Sequence, residues 1–314
     1  MTASGLLKRL SCGVCLACLS GLVQAVDLSP YDVVAPVTGV TAGSIQVGHR
    51  SIQGDVDFNG VTLGSRIDQH NVSVRIGRSA EVRGFPVYAY ATLSYIRPEL
   101  GDDLAGEPLT GVRLRADEGL SDLGLAAAVW PYVDRDNGRF VGVAAYAILP
   151  TGQYDASRTF GLNLNPGNNR FAGVIQTGFH QRLGDSFDWS IAADAAFFED
   201  NDRFIGRRVE PGTQEPADPA RLEVEPYLSY QTTLAWRAQS ALSLAVSLYA
   251  DRGGESRVDG GDWRPAINRE RYGLWALVAL SPRTRVNFSY KSTINDRGAL
   301  ELQDNVQVRL IRFF

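Results

Sequence analysis

The chain has 314 residues, with 31 basic and 35 acidic side chains and a formal net charge of −4. An acidic balance argues against nucleic acid as a partner. All three cysteines, Cys12, Cys15 and Cys18, fall within the first 25 residues, so the remainder has no disulfide, thiolate zinc site or cysteine nucleophile.

Residues 1–25 read as a secretory signal peptide. Lys8 and Arg9 precede the apolar stretch Leu10 to Leu22, and Val23-Gln24-Ala25 places small residues where a signal peptidase needs them. The stretch is too short for a spanning helix, which needs ~20 apolar residues. Cleavage is expected after Ala25. A lipid-modified Cys18 is the alternative, disfavoured because Cys15 stands where a lipoprotein signal has leucine. Removing this segment leaves a charge of −6 and Lys291 as the sole lysine. Residues 26–40, with Pro30 and Pro36, read as an extended periplasmic lead-in.

Twelve strands are expected, over 41–52, 65–77, 85–97, 121–133, 139–149, 169–183, 187–200, 221–236, 240–252, 270–281, 284–294 and 301–314. Most are longer than the ~5–6 residues of ordinary strands and match the ~9–11 that a tilted strand needs to cross a bilayer. In 240–252, Leu242, Leu244, Val246 and Leu248 share one face and Ser243, Ala245, Ser247, Tyr249 and Asp251 the other. No later stretch is long and apolar enough for a helical span, so a membrane location has to come from strands, and in lipid such a sheet must close. Connections alternate between short (78–84, 134–138, 184–186, 237–239, 282–283) and long (53–64, 98–120, 150–168, 201–220, 253–269), the pattern of an outer-membrane barrel. Phe85, Tyr132, Phe140, Phe187, Trp189 and Trp236 collect near the short turns as a periplasmic aromatic girdle. The last strand runs to the carboxyl-terminal Phe314, as a barrel that pairs its last strand with its first allows. The fold class is therefore all-β: an antiparallel transmembrane β-barrel of about twelve strands over 41–314, in the outer membrane of a Gram-negative bacterium.

Alternation sends Arg75, Arg170, His180, Arg182, Asp194, Glu223, Glu225, Asp251, Arg285, Lys291 and Arg309 into the lumen, with Tyr88, Tyr90, Tyr227 and Tyr249. These groups either form a salt-bridged interior or line a narrow filter, and the two readings are compatible. Among the three histidines, His70 and Ser73 fall on opposite faces, and no serine lies within reach of His180 along its own strand, so no catalytic set is read. The acidic loops 99–107 and 199–218 lack calcium-loop spacing. No metal and no cofactor are expected.

Leu149-Pro150-Thr151-Gly152-Gln153-Tyr154-Asp155, followed by Asn163-Leu164-Asn165-Pro166-Gly167-Asn168-Asn169-Arg170-Phe171, stands apart from the generic barrel pattern. It resembles a motif of bacterial outer-membrane transporters of the phenol meta-degradation pathway type, as do Asp27 to Asp32 and the terminal phenylalanine. Pro150 removes a ladder donor, Gly152 permits a turn, and the asparagines satisfy loop backbone. That chemistry reads as a loop fastened at the barrel mouth, with a solute constriction as the alternative. Arg312 departs from the usual apolar pattern of the final strand. The resemblance implies passage of small, hydrophobic or aromatic molecules. The expected partners are outer-membrane lipid and lipopolysaccharide, the barrel-insertion machinery through the strand ending at Phe314, and a small-molecule solute. The rival reading is a structural barrel with a plugged lumen and working extracellular loops. A lipid-modifying enzyme ranks third.

Overall fold

The computed structural model describes residues 14–15, 26–58, 61–101, 116–156, 165–205, 208–209, 216–217, 220–263, 266–296 and 300–314. Apart from Val14–Cys15, whose backbone bridges Phe58 and Asp57, the signal-peptide expectation over 1–25 lies outside them, as do Asn163 and Leu164 of the motif. Twelve long strands form the wall: β1 (Thr41–Phe58), β2 (Val61–Val82), β3 (Phe85–Leu100), β4 (Leu123–Asp134), β5 (Arg139–Leu149), β6 (Ala172–Leu183), β7 (Phe187–Phe198), β8 (Tyr227–Gln239), β9 (Leu242–Gly253), β10 (Ile267–Ser281), β11 (Thr284–Asp296) and β12 (Leu300–Phe313). Each pairs antiparallel with its sequence neighbours. β12 pairs with β1 from Leu300↔Gly54 to Phe313↔Ala42, which closes the barrel. Phe314 adds a backbone bond to the Thr41 carbonyl.

The two faces of this wall are inverted relative to a water-soluble protein. Along β9, Val246 is 49% exposed while Ser247 beside it is fully buried. The same holds for Ile45, Val74, Leu234, Leu274 and Leu310, all outward and exposed, against Gln176, Asp194, Thr233, Asn287, Lys291 and Asn305, all buried. Water would not tolerate so continuous an apolar exterior, whereas lipid requires it. The shortest wall strand has 11 residues, enough to cross a bilayer.

Tight turns close one rim. Arg83 and Gly84 both adopt positive φ (52° and 83°) between β2 and β3, the backbone of a two-residue hairpin turn. The opposite rim carries the longer connections and a three-stranded ribbon of Asn201–Ile205, Ala220–Val224 and Ser256–Val258.

Four sequence expectations need correction. The loop expected over 53–64 is mostly strand, because β1 and β2 continue pairing to Phe58↔Val61. The strand expected from residue 221 is split: Pro226 offers no N–H to the ladder, so β8 begins at Tyr227 and residues 220–224 belong to the ribbon. In the girdle, Phe85, Tyr132, Phe187 and Trp236 are exposed and Trp189 is half-buried, but Phe140 turns inward and is 4% exposed, packed on Trp130 and Ala35. Its outward-facing neighbour Val143 fixes that parity. Finally, residues 26–40 run inside the barrel rather than beyond its rim, for the reasons given below.

The inverted faces make a direct prediction. Val246→Arg, near the middle of β9, is expected to lower barrel stability by about 2–4 kcal/mol. Thr233→Ser, on the inner face, keeps its hydroxyl and should change it little. Denaturant unfolding in lipid vesicles measures both.

Candidate functional site

The inner wall is built around a guest segment, residues 26–40. At the tight-turn rim Ser79 fastens it, receiving Val40 N (3.0 Å) and donating to Val37 O (2.6 Å). Arg135 donates to the Ala35 and Pro36 carbonyls, and Trp130 Nε1 to Val33 O at 2.8 Å. Gly178 makes room for Val33, since a Cβ there would stand 2.8 Å from it. Tyr31, in a tight turn at φ 75°, reaches Ser243. Higher in the lumen the Gln231 amide donates to Leu28 O (2.8 Å) and accepts from Leu28 N (3.0 Å), reproducing a ladder pair with a side chain. Gln176 Nε2 then holds Val26 O at 2.9 Å. Wall groups thus bind the carbonyls of Val26, Leu28, Val33, Ala35, Pro36 and Val37 and the nitrogens of Leu28 and Val40, while the Tyr31 turn closes on itself through Val34 N to Tyr31 O.

Charge anchors the segment. The Asp27 carboxylate accepts from Arg271 Nη1 and Nη2 at 2.9 and 3.0 Å and from Lys291 Nζ at 2.8 Å. Arg271 also donates through Nε to Asp251 Oδ2 at 2.8 Å, and Asp251 accepts from Ser229. The Arg271 guanidinium lies 4.7 Å from the Tyr249 ring centre. Arg271 is 1% exposed and the Asp27 side chain 8%. Burial alone would raise the Asp27 carboxyl, but Arg271 and Lys291 hold it well below the usual carboxylate range.

The remaining lumen groups form smaller sets. Arg75 lies over the Tyr90 ring at 4.2 Å and donates to Thr92; Tyr88 and Tyr146 flank Tyr90. Arg309 joins Gln46 on β1 to Ser29 of the guest segment. His180 Nε2 stands 3.4 Å from Asp188, which also binds Arg237. Ser190 is the cross-strand neighbour of His180, yet His180 Nδ1 has no partner, so no hydroxyl is engaged as a nucleophile would be. Among the described residues no three His, Cys, Asp or Glu converge as a metal site.

At the long-loop rim the described residues of the motif, 149–156 and 165–171, are tied together at Asp122. Its carboxylate accepts Gly152 N (2.9 Å), Asn168 N (2.8 Å) and Asn168 Nδ2 (3.0 Å). Gly152 is required, because a Cβ there would stand 2.7 Å from the Asp122 backbone nitrogen. Asp155 N is bound by Asn165, Thr151 receives Leu123 N, and Asn169, at φ 52°, donates to Asn201. Tyr154 reaches the ribbon, donating toward the Arg203 and Phe204 carbonyls. Pro150 follows immediately on the last residue of β5, Leu149, and the Phe171 carbonyl accepts Glu199 N.

Of the residues assigned to the lumen, Arg75, Tyr88, Tyr90, His180, Asp194, Tyr227, Tyr249, Asp251, Lys291 and Arg309 lie on the inner face. Five do not line it. Arg170 is buried in the mouth loop over Phe198 at 4.7 Å. Arg182 and Arg285 are exposed at the tight-turn rim, the latter over Phe313. Glu223 pairs with Arg257 in the ribbon, and Glu225 lies between ribbon and wall, because Pro226 delays the wall strand. Sequence reading missed Asp122, Gln176 and Arg271, and gave no lumen contact to Asp27 or Gln231. Inward parity from Gly273 and Trp275 was the available signal for Arg271; nothing comparable marked Asp27, whose partner is 244 residues away.

The chain belongs to the family described as the MetA-pathway of phenol degradation, whose pattern matches residues 48–302. It is similar to an outer membrane channel from Pseudomonas putida F1, at 18% identity over 92% of this chain and 100% of that one, with a TM-score of 0.75. It is also similar to the beta domain of the Bordetella autotransporter BrkA, at 13% identity over 88% of this chain and 100% of that one, TM-score 0.55. At these identities the likeness establishes the fold. No curated protein matches the chain.

Two outcomes follow from the geometry. Asp27→Ala leaves Lys291 without its carboxylate and Arg271 with Asp251 alone, a loss of about 3–5 kcal/mol. A single cysteine placed at Val33 should react with a bulky thiol reagent faster in that background. The anchoring sign is that of a lowered carboxylate: full above the ordinary carboxyl range and lost only as pH falls through the depressed value. Asp122→Ala should speed protease cleavage within 149–171 without shifting strand content in circular dichroism.

Proposed function

We propose that this chain is a passive outer-membrane channel for small molecules, with hydrophobic or aromatic compounds as the solute class. The observation that carries the reading is the closed, inside-out barrel with an aromatic and cationic inner face. Arg75, Tyr88, Tyr90 and Arg309 offer rings and guanidinium groups that suit a flat aromatic solute. Membership of a family described by phenol degradation supports that class. Residues 26–40 occupy part of the lumen and set its free cross-section.

In this reading residues 1–25 are removed after Ala25. The barrel is inserted through its terminal strand, with Phe314 exposed at 71%, and it sits among outer-membrane lipid and lipopolysaccharide. It acts without a cofactor and is a conduit rather than an enzyme. A second reading, a structural barrel with working extracellular loops, draws support from the same anchored segment, since Asp27 is held by two cations.

Planar-bilayer recording separates the two. The refolded barrel should show steady conductance that a phenolic solute reduces, and Asp27→Asn should raise the open current. Silence from both folded, heat-modifiable proteins would contradict the channel reading and favour the structural one.

A further inference from the structure

The buried cluster around Asp27 is one positive charge short. Asp27, Asp194 and Asp251 stand against Arg271 and Lys291. Both cations bind Asp27, and Arg271 also binds Asp251. Among the described residues Asp194 has no ion pair. It is 8% exposed; Oδ2 accepts from Gln176 Nε2 at 3.2 Å, and Oδ1 is buried without a partner. A carboxylate so placed needs a cation, a further donor or a proton.

Val26 stands beside it. The Gln176 Nε2 that reaches Asp194 also donates to the Val26 carbonyl at 2.9 Å. Tyr146 fixes the orientation of that amide by donating to Gln176 Oε1 at 2.7 Å. The Val26 side chain packs on Val174, Ala196 and Tyr227. Val26 and Asp194 therefore share one donor, the Gln176 side-chain amide, which sets the first residue of the guest segment beside this carboxylate.

We propose that removal of the leader creates the missing cation: the new α-ammonium of Val26 pairs with Asp194. Hydrolysis of the Ala25–Val26 peptide bond consumes one water, leaving a carboxylate on Ala25 and an ammonium on Val26. Before cleavage the same nitrogen is a neutral amide and the cluster stays one charge short. Final seating of the guest segment therefore depends on processing at this bond. The inference rests on the cleavage site read from the sequence and is independent of what crosses the barrel.

The test uses the chain's poverty in amines. After cleavage the chain has two, the Val26 α-amine and Lys291. Protein isolated from outer membranes is 13C-dimethylated, refolded and titrated by NMR, with intact mass fixing the first residue. A chain starting at Val26 is expected, its α-amine titrating at least a unit above the ordinary value of about 7.7–8.0. In Asp194→Asn the value should return to that range. A refolded barrel carrying Gly-Gly before Val26 should show an ordinary amine with Asp194 intact, which keeps the test open if Asp194→Asn folds poorly. A different first residue, an unshifted wild-type amine, or a shift that survives the Gly-Gly extension would overturn the proposal.

Discussion

Every structural feature here descends from one constraint: lipid offers the backbone no hydrogen-bond partner, so a sheet that crosses it must close on itself. Closure turns the apolar face outward, as the exposed Val246 and Leu234 show, and confines the polar face to a narrow interior. Charges in that interior cannot be left alone. Two charges about 3 Å apart attract by about 5 kcal/mol at an effective dielectric of 20, while desolvation costs several kcal/mol per ion. Arg271 and Lys291 are stable inside only because carboxylates meet them. The wall supplies Asp251; the chain's own early residues supply Asp27.

The guest segment is thus held by polar complementarity more than by apolar burial. Gln231 and Gln176 imitate ladder partners, Trp130 and Arg135 cap carbonyls, and Asp27 fixes register. Each such contact can be removed by a single substitution, so the hold on the segment can be loosened step by step without disturbing the wall ladders. The Asp122 knot plays the complementary role at the opposite mouth, holding Gly152 and Asn168 together beside the start of β4.

Much of the wall was legible because a period of two sustained over 11 or more residues has few readings besides a membrane strand. Pro150 marked the end of β5 correctly for its missing N–H. Pro226, one residue before β8, carries the same signal, and it is what keeps Glu223 and Glu225 out of the wall. Phe140 was assigned by its closeness to a turn, when the parity of Val143 already placed it inside. Residues 26–40 had no period to read: their partners lie up to 280 residues away, and a segment satisfied by side chains leaves no pattern of its own. The motif at 149–171 announced turn chemistry through Pro, Gly and Asn, but the residue it closes on, Asp122, is a lone acid before a strand and bore no local mark.

The central claim is that the early segment lies inside the barrel, and a disulfide trap tests it most directly. Val33→Cys with Gly178→Cys places two thiols at a contact where a Cβ on residue 178 would stand 2.8 Å from the Val33 side chain, in a chain otherwise free of cysteine once the first 25 residues are gone. The account predicts a spontaneous intramolecular disulfide in cells, seen as a mobility shift reversed by reductant. Two free thiols in the folded, membrane-inserted protein, both open to a bulky impermeant reagent, would contradict it.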